Sequence, residues 1–94
     1  MKSKGEPLVV TTAHRGVFFG YGKRSDGPTI ELADCRMCIY WSSDQHGVMG
    51  LASDGPNGNA RISPKVPKML LRDVTSVMSA TDKAAKAWDS EPWK

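Results

Sequence analysis

The chain is poor in the residues that most enzymes and metal sites use. Its 94 residues include two cysteines and two histidines, His14 and His46. A histidine that acts as a base needs a partner, and no Ser-x-x-Lys, Gly-x-Ser-x-Gly or Cys/His signature accompanies either one. We therefore expect a protein that is not an enzyme, with no catalytic residues, no metal and no cofactor.

The sequence also lacks long apolar runs. None approaches the ~20 residues that a helix needs to cross a bilayer. The first residues, from Met1 to Pro7, are charged and contain no apolar segment typical of a signal peptide. We expect no membrane association and a cytoplasmic location, with residues 1–7 forming a disordered N-terminus.

Charge of one sign is not concentrated anywhere. Thirteen Lys and Arg against ten Asp and Glu give a net charge of +3, and the cations are spread from Lys2 to Lys94. This pattern fits an ordinary solvated surface. It also fits a phosphate-binding cluster if Arg15, Lys23, Arg24 and Arg36 lie together on one sheet. Charge alone does not separate the two interpretations.

Aromatic residues are few, but five of the seven lie between Arg15 and Trp41. The composition of this stretch predicts three strands, at residues 17–21, 29–32 and 37–41, with breaks at 23–28 and 33–34. Gly20 and Gly22 interrupt the first of them, which indicates a bulge, a sharp bend or close backbone approach. The pattern favours a strongly curved sheet, with residues 8–13 as an additional strand before it.

The second half of the chain contains weaker signals. Val48–Ala52 predicts a short strand, and residues 60–63 another. From Lys68 to Asp89 apolar residues recur at helical spacing, although β-branched residues leave 74–80 open between strand and helix. Residues 82–89 predict a helix, with Thr81 as a candidate N-cap. The expected fold is α+β, a single domain over 8–94: a small, strongly bent antiparallel sheet or Sm-like barrel, covered by a C-terminal helix.

Cys35 and Cys38 have the C-x-x-C spacing of some metal and redox sites. Residues three apart on a strand point to opposite faces, so these thiols diverge if the strand prediction is right. There is no second C-x-x-C to complete a four-ligand site. We expect two reduced, partly buried thiols.

The aromatic pairs give the main functional signal. Phe18 with Phe19, and Tyr40 with Trp41, point to opposite faces of their strands, so one member of each pair cannot enter a single core. The outward rings either pack under the C-terminal helix or a second subunit, or form a platform on which a base stacks beside an arginine. The predicted ligand contacts are Arg15, Phe19, Tyr21, Arg24, Arg36, Tyr40 and Trp41, with His14 and His46 as polar partners.

Four segments carry a resemblance to known proteins: HRGVFFGYG at 14–22, MCIYW at 37–41, GVMGLASDGP at 47–56 and VTSVMSATDKAAKAW at 74–88. In this pattern the chain resembles a family of small, mostly uncharacterised proteins of tailed phages and prophages. The resemblance covers nearly all residues from Val9 onward. It implies a location in the cytoplasm of the bacterial host, and it supplies no site residues.

A second resemblance is to Sm-like RNA-binding proteins. Arg15, Gly20, Asp26, Ile30, Leu32 and Asp34-Cys35 fall near positions of their first motif, and His46-Gly47 stands where the second has Arg-Gly. The base-binding Asn of the first motif is missing, and His replaces Arg in the second. This resemblance implies a bent five-stranded barrel and an oligomer.

The hypothesis that these observations favour is a non-enzymatic phage accessory protein that counteracts host defence. It would do so by sequestering a nucleotide-type signal at a subunit interface of a homo-oligomer. The alternatives are a phage protein that inhibits a host defence protein by direct contact or serves as a structural component, and an Sm-like RNA-binding protein.

Overall fold

The structure is a computed structural model that describes residues 5–13, 16–24, 27–41, 47–57 and 60–90. These residues form an antiparallel sheet of six strands and two short helices. The elements in chain order are β1 (Glu6–Thr12), β2 (Val17–Gly22), β3 (Ile30–Tyr40), α1 (Gly47–Ser53), β4 (Arg61–Ile62), β5 (Val66–Leu71), β6 (Val74–Ser79) and α2 (Asp82–Ser90). The predicted α+β class with a C-terminal helix is confirmed.

The strand order is β4-β3-β2-β1-β6, and β5 pairs with the first half of β3. Strands β5 and β6 follow one another through Arg72 and Asp73, yet within the described residues they are not hydrogen-bonded as a pair. The sheet is therefore bent but does not close into a barrel. Of the two architectures that the sequence left open, the open sheet is the one that forms.

The bend is produced by an irregularity where the sequence predicted a strand break. Residues 30–40 form one continuous strand, so the predicted break at Ala33–Asp34 is wrong. Phe19 pairs with Arg36 and Tyr21 with Ala33, which leaves one extra residue on β3. Asp34 has a φ of 50° there, a conformation that aspartate adopts more readily than most residues. A bulge of this kind bends the strand without ending it.

The sheet separates two apolar clusters. We call the first the inner cluster; it contains Leu8, Val10, Ile30, Leu32, Cys35 and Leu71, with Phe18, Val66, Met69, Val74 and Val77 packed against it. The helix-side cluster contains Val9, Phe19, Leu51, Ile62 and Trp88 among others. Since the edge strands β5 and β6 both contribute to the inner cluster, the sheet curls around it. The helices cover the opposite face.

Several elements differ from the local predictions. The strand predicted at Val48–Ala52 is wrong, because this segment lies in α1. The helical spacing that begins at Lys68 is wrong for residues 68–71, which lie in β5. Of the two possibilities left open for residues 74–80, the strand forms, as β6. Thr81 is the N-cap of α2, since its hydroxyl accepts a hydrogen bond from the backbone N–H of Ala84 at 3.0 Å. β1 begins at Glu6, inside the segment 1–7 that was predicted to be disordered, and residues 1–4 lie outside the described part.

Gly20 marks the point where β2 and β3 approach most closely beside the bulge. A Cβ atom at this position would lie 2.7 Å from the Cβ of Leu32 and 3.1 Å from the carbonyl oxygen of Ala33. We expect Gly20→Ala to lower the free energy of unfolding by about 1–3 kcal/mol, because the strands must separate to admit the methyl group. Urea denaturation followed by tryptophan fluorescence measures this. Met49→Ala, at a side chain that is 72% exposed, is the control, and equal stability of both variants would contradict the close approach.

Candidate functional site

Two consecutive apolar residues at the end of β3 are exposed together. The pairing of β3 with β4 is irregular between Cys38 and Tyr40, so side chains there do not alternate between the two faces. Ile39 is 55% exposed, Tyr40 53% and Met37 37%. Three neighbouring apolar side chains with this exposure form a candidate interaction surface.

An open cavity of about 300 Å³ adjoins Met37, the first of these side chains. It lies between the start of β2, the middle of β3 and the segment that leads into β5. Its lining consists of Phe18, Cys35, Arg36, Met37, Ser63, Pro64, Val66 and Met69. Met37 belongs both to the lining and to the exposed residues. We call the cavity together with Met37, Ile39 and Tyr40 the β3 apolar surface.

The polar groups that line the cavity are engaged within the protein. The Nε of Arg36 donates to the carbonyl oxygen of Ser63 at 2.9 Å, and its Nη1 donates to the carbonyl oxygen of Trp88. The Ser63 hydroxyl accepts from the backbone N–H of Met37 at 2.8 Å and donates to the carbonyl oxygen of Pro64 at 3.0 Å. A group that enters the cavity therefore meets apolar atoms and polar groups already in use.

One exposed cation adjoins this surface. Arg61 pairs directly with Tyr40 across the β3–β4 ladder. Lys65 and Lys68 are also exposed, but Lys68 pairs with Ala33, whose partner Tyr21 packs against the helix-side cluster, so Lys68 lies on the helix side of the sheet. Lys65 forms an ion pair with Asp89 at 3.6 Å. Residues 60–71 contain no aspartate or glutamate, so this segment is positively charged.

Two of the predicted contact residues belong to the interior. Phe19 has no exposed surface, and its ring stacks on that of Trp88 with a centroid distance of 5.1 Å and an interplanar angle of 9°. Packing under the C-terminal helix, one of the two roles expected for these rings, is the one that forms for Phe19. Arg36 is 5% exposed and binds backbone carbonyls. The ligand contacts predicted for Phe19 and Arg36 are corrected accordingly.

The remaining described candidates occupy two separate ends of the sheet. The Tyr21 hydroxyl donates to Asp89 Oδ2 at 2.5 Å, and Arg24 contacts Ser79 and lies 3.5 Å from Glu6. Tyr40 is at the opposite end, because Tyr21 pairs with Ala33 and the strand from Ala33 to Tyr40 spans roughly 20 Å. Trp41 follows Tyr40 and packs partly buried against the helix-side cluster. His14, Arg15 and His46 lie outside the described residues.

The two cysteines diverge as predicted. Cys35 belongs to the inner cluster and Cys38 to the helix-side cluster, and both are free thiols. Burial raises the pKa of Cys35 to about 12 and that of Cys38 to about 11. Within the described part of the chain, no three His, Cys, Asp or Glu side chains lie close enough together to hold a metal ion.

We expect both thiols to resist modification in the native protein. The thiolate is the reactive form of cysteine. At pH 8, which is well below both pKa values, almost all of each side chain is the protonated thiol, and both thiols are buried. Reaction with a chromogenic disulfide reagent at pH 8 should be slow for the folded chain and rapid, with two equivalents, in 8 M urea. Rapid reaction of one equivalent in buffer would show that the cavity opens far enough to expose Cys35.

Sequence reasoning missed the cavity and most residues around it. Ile39, Arg61, Pro64, Val66 and Met69 come together only through the pairing of β3 with both β4 and β5. A signal was present in the segment 61–69, which alternates cations, prolines and apolar residues without an acidic residue.

Within the described residues, neither helix is long and apolar enough to cross a membrane.

A family model matches residues 5–88, nearly the whole described fold. The chain belongs to the family described as Domain of unknown function (DUF6948). No curated protein and no solved structure matches it. The family description assigns no activity to the β3 apolar surface, so its role has to be argued from its chemistry.

Proposed function

We propose that this member of the DUF6948 family is a non-enzymatic binding protein that docks a partner protein on the β3 apolar surface. The observation that carries the proposal is the open cavity beside the exposed Met37, Ile39 and Tyr40. Protein interfaces concentrate their binding energy in a few large side chains that fill such pockets. The partner would insert one apolar side chain into the cavity and cover Ile39 and Tyr40 around it.

The chemistry of the cavity favours a side chain over a nucleobase. A base carries several donors and acceptors on its edges, and burying one without a partner costs about 1–3 kcal/mol. Arg36 and Ser63 already donate to carbonyl oxygens of the protein. An aliphatic or aromatic side chain has no such requirement and gains from the burial of its apolar surface.

The resemblance to small phage proteins supplies the biological side of the proposal. A phage accessory protein that opposes host defence by binding a host protein needs a docking surface and no catalytic groups. The bent sheet provides such a surface on a rigid strand, with both clusters packed behind it. The location in the cytoplasm of the bacterial host is part of this proposal.

Site-specific photo-crosslinking tests the docking role. Ile39 and Leu70 are 55% and 54% exposed, so a benzoylphenylalanine at position 39 can be compared with one at position 70 on β5. In the host bacterium we expect a discrete protein adduct from position 39, absent from position 70 and lost when Tyr40→Asp is added. The same adducts from both positions would show that the contacts are non-specific and would refute the proposal.

A nucleotide-type signal is the second candidate ligand, and the pairing of Tyr40 with Arg61 favours it. Residues directly opposite on antiparallel strands have Cβ atoms about 5 Å apart, so an exposed ring and a guanidinium lie side by side. A base could stack on Tyr40 while Arg61 binds its phosphate. Thermal-shift measurements with cyclic and linear nucleotides test this. A stabilisation abolished by Arg61→Gln supports it, and the absence of any shift refutes it.

The homo-oligomer and the Sm-like RNA-binding role stay predictions. Light scattering tests the first, against a monomer mass of 10.2 kDa. Binding of single-stranded RNA with a steep loss of affinity in added salt would support the second. The residues that carry the Sm-like resemblance include Arg15, Asp26 and His46, which lie outside the described part of the chain.

A further inference from the structure

We infer that the partner of the β3 apolar surface inserts a phenylalanine side chain into the cavity. This inference rests on the proposed function and adds the chemistry of the inserted group. It comes from the side chains that line the cavity, which include one aromatic ring, two thioethers and one thiol. These groups belong to Phe18, Met37, Met69 and Cys35.

The lining is suited to an aromatic ring. Met37 and Phe18 are directly paired across β3 and β2, and Phe18 and Met69 both pack against the inner cluster. The three side chains therefore share the concave face of the sheet, and all three line the cavity. Methionine sulfur makes favourable contacts with aromatic rings, and two aromatic rings attract one another edge to face or offset. An aliphatic side chain would gain the burial but not these contacts.

Among the aromatic residues, phenylalanine fits the cavity best. Tyrosine and tryptophan carry an O–H or N–H group that needs an acceptor when it is buried. The Ser63 hydroxyl already accepts a hydrogen bond from the backbone N–H of Met37, and the guanidinium of Arg36 offers only donors. A phenylalanine ring has no polar atom, so it leaves no group unsatisfied.

The ring has to come from another protein. The chain has two phenylalanines, and both belong to its own interior: Phe18 packs against the inner cluster, and Phe19 has no exposed surface. A second copy therefore has no free phenylalanine to insert. A small aromatic molecule could fill the cavity but would leave Ile39 and Tyr40 exposed. A phenylalanine carried by a protein segment fills the cavity while the segment covers both.

Two amino-acid analogues test the inference on the intact protein: N-acetylphenylalanine amide and N-acetylcyclohexylalanine amide. The cyclohexyl ring is the more apolar of the two, so burial alone favours it. We expect the phenylalanine derivative to bind about threefold more tightly, because only its ring gains the sulfur and aromatic contacts. NMR of isotope-labelled methionine methyl groups measures both titrations. The signals of Met37 and Met69 should shift, whereas that of Met49, a residue 72% exposed and outside the lining, should not.

Methionine variants test the physical reason for the preference. The double variant Met37→Leu, Met69→Leu removes both thioethers and nearly conserves the volume of the lining. We expect it to bind the cyclohexyl derivative at least as tightly as the phenylalanine derivative. The matched control Met49→Leu, Met78→Leu also removes two sulfur atoms, at the exposed position and beside the helix-side cluster. This control should retain the threefold preference. Circular dichroism verifies that both double variants are folded.

The remaining outcomes separate this inference from the proposed function. Tighter binding of the cyclohexyl derivative to the unmodified protein would overturn the inserted phenylalanine and leave the docking surface in place. Tighter binding of N-acetyltryptophan amide would overturn it in favour of tryptophan. A phenylalanine preference that survives Met37→Leu, Met69→Leu would support the inserted ring and assign its selection to Phe18. If neither derivative shifted Met37 or Met69, or if Met49 shifted equally, the cavity would be refuted as the docking pocket. Crosslinking from position 39 checks that last result independently.

Discussion

Trp88→Ala is expected to lower the free energy of unfolding by about 3–5 kcal/mol, which is a large part of the stability of a domain of this size. Trp88 is the largest fully buried side chain, and it connects α2 to the sheet. Its ring stacks on Phe19, and its Nε1 donates to the carbonyl oxygen of Leu51 at 3.0 Å. The variant therefore loses contact with β2 and α1 at once.

The variant Trp88→Phe separates the two contributions. Phenylalanine keeps a ring that can stack on Phe19 but cannot donate to Leu51, so the expected loss is smaller, about 1–3 kcal/mol for the unsatisfied carbonyl and the reduced volume. Urea unfolding followed by circular dichroism measures both variants, with Met49→Ala as the exposed control. If Trp88→Ala unfolded at the same urea concentration as Met49→Ala, the packing of α2 on the sheet described above would be wrong.

Much of the sheet was predictable because its central strands are local in sequence and rich in β-branched and aromatic residues. Residues 17–21 and 37–40 form strands, as predicted from their β-branched and aromatic side chains. The divergence of Phe18 from Phe19, and of Cys35 from Cys38, followed from the two-residue period of a strand. The helix predicted over 82–89 from its alanines and its cap at Thr81 forms as α2, Asp82–Ser90.

The errors have a common physical origin in tertiary contacts. Val48 to Ala52 lack a strand partner and instead pack Leu51 and Ala52 against α2, which favours a helix. The segment with Met69 and Leu70 has helical spacing, but pairing with Ile30 to Cys35 makes it a strand. Asp34 was predicted as a strand break because aspartate is uncommon in strands. The pairing of β3 with β2 and β5 instead holds it in a bulge within one strand, and no local pattern reveals that pairing.

The site was harder to predict than the fold. Tyr40 is exposed, and its predicted ligand contact stays a prediction, whereas Phe19 and Arg36 were chosen by residue type and are interior. A strand pattern tells which side chains share a face, but it does not tell which face the helices cover. Phe18 and Phe19 both pack into the interior because each face of the sheet carries its own cluster. For Tyr40 and Trp41, which ring is exposed depended on where α2 docks and could not be predicted in advance.

Replacement of Arg36 is the second change with a large expected effect. Arg36 lies on β3 and joins two elements far apart in the chain, because its guanidinium donates to the carbonyl oxygens of Ser63 and Trp88. Trp88 is in the last turn of α2, where carbonyls have no partner within the helix and a positive charge is favourable. We expect Arg36→Met to lower the free energy of unfolding by about 3 kcal/mol, since two acceptors of a charged donor are left unpaired.

The choice of control decides how this result is interpreted. Arg36→Lys keeps the charge but offers one ammonium group where the guanidinium reaches two carbonyls, so it should recover only part of the stability. Arg72→Met, at an exposed position between β5 and β6, should change stability by no more than about 0.5 kcal/mol. Urea titration of the three variants gives the comparison. If Arg36→Met were as stable as Arg72→Met, its guanidinium would not be needed to hold α2 against the sheet.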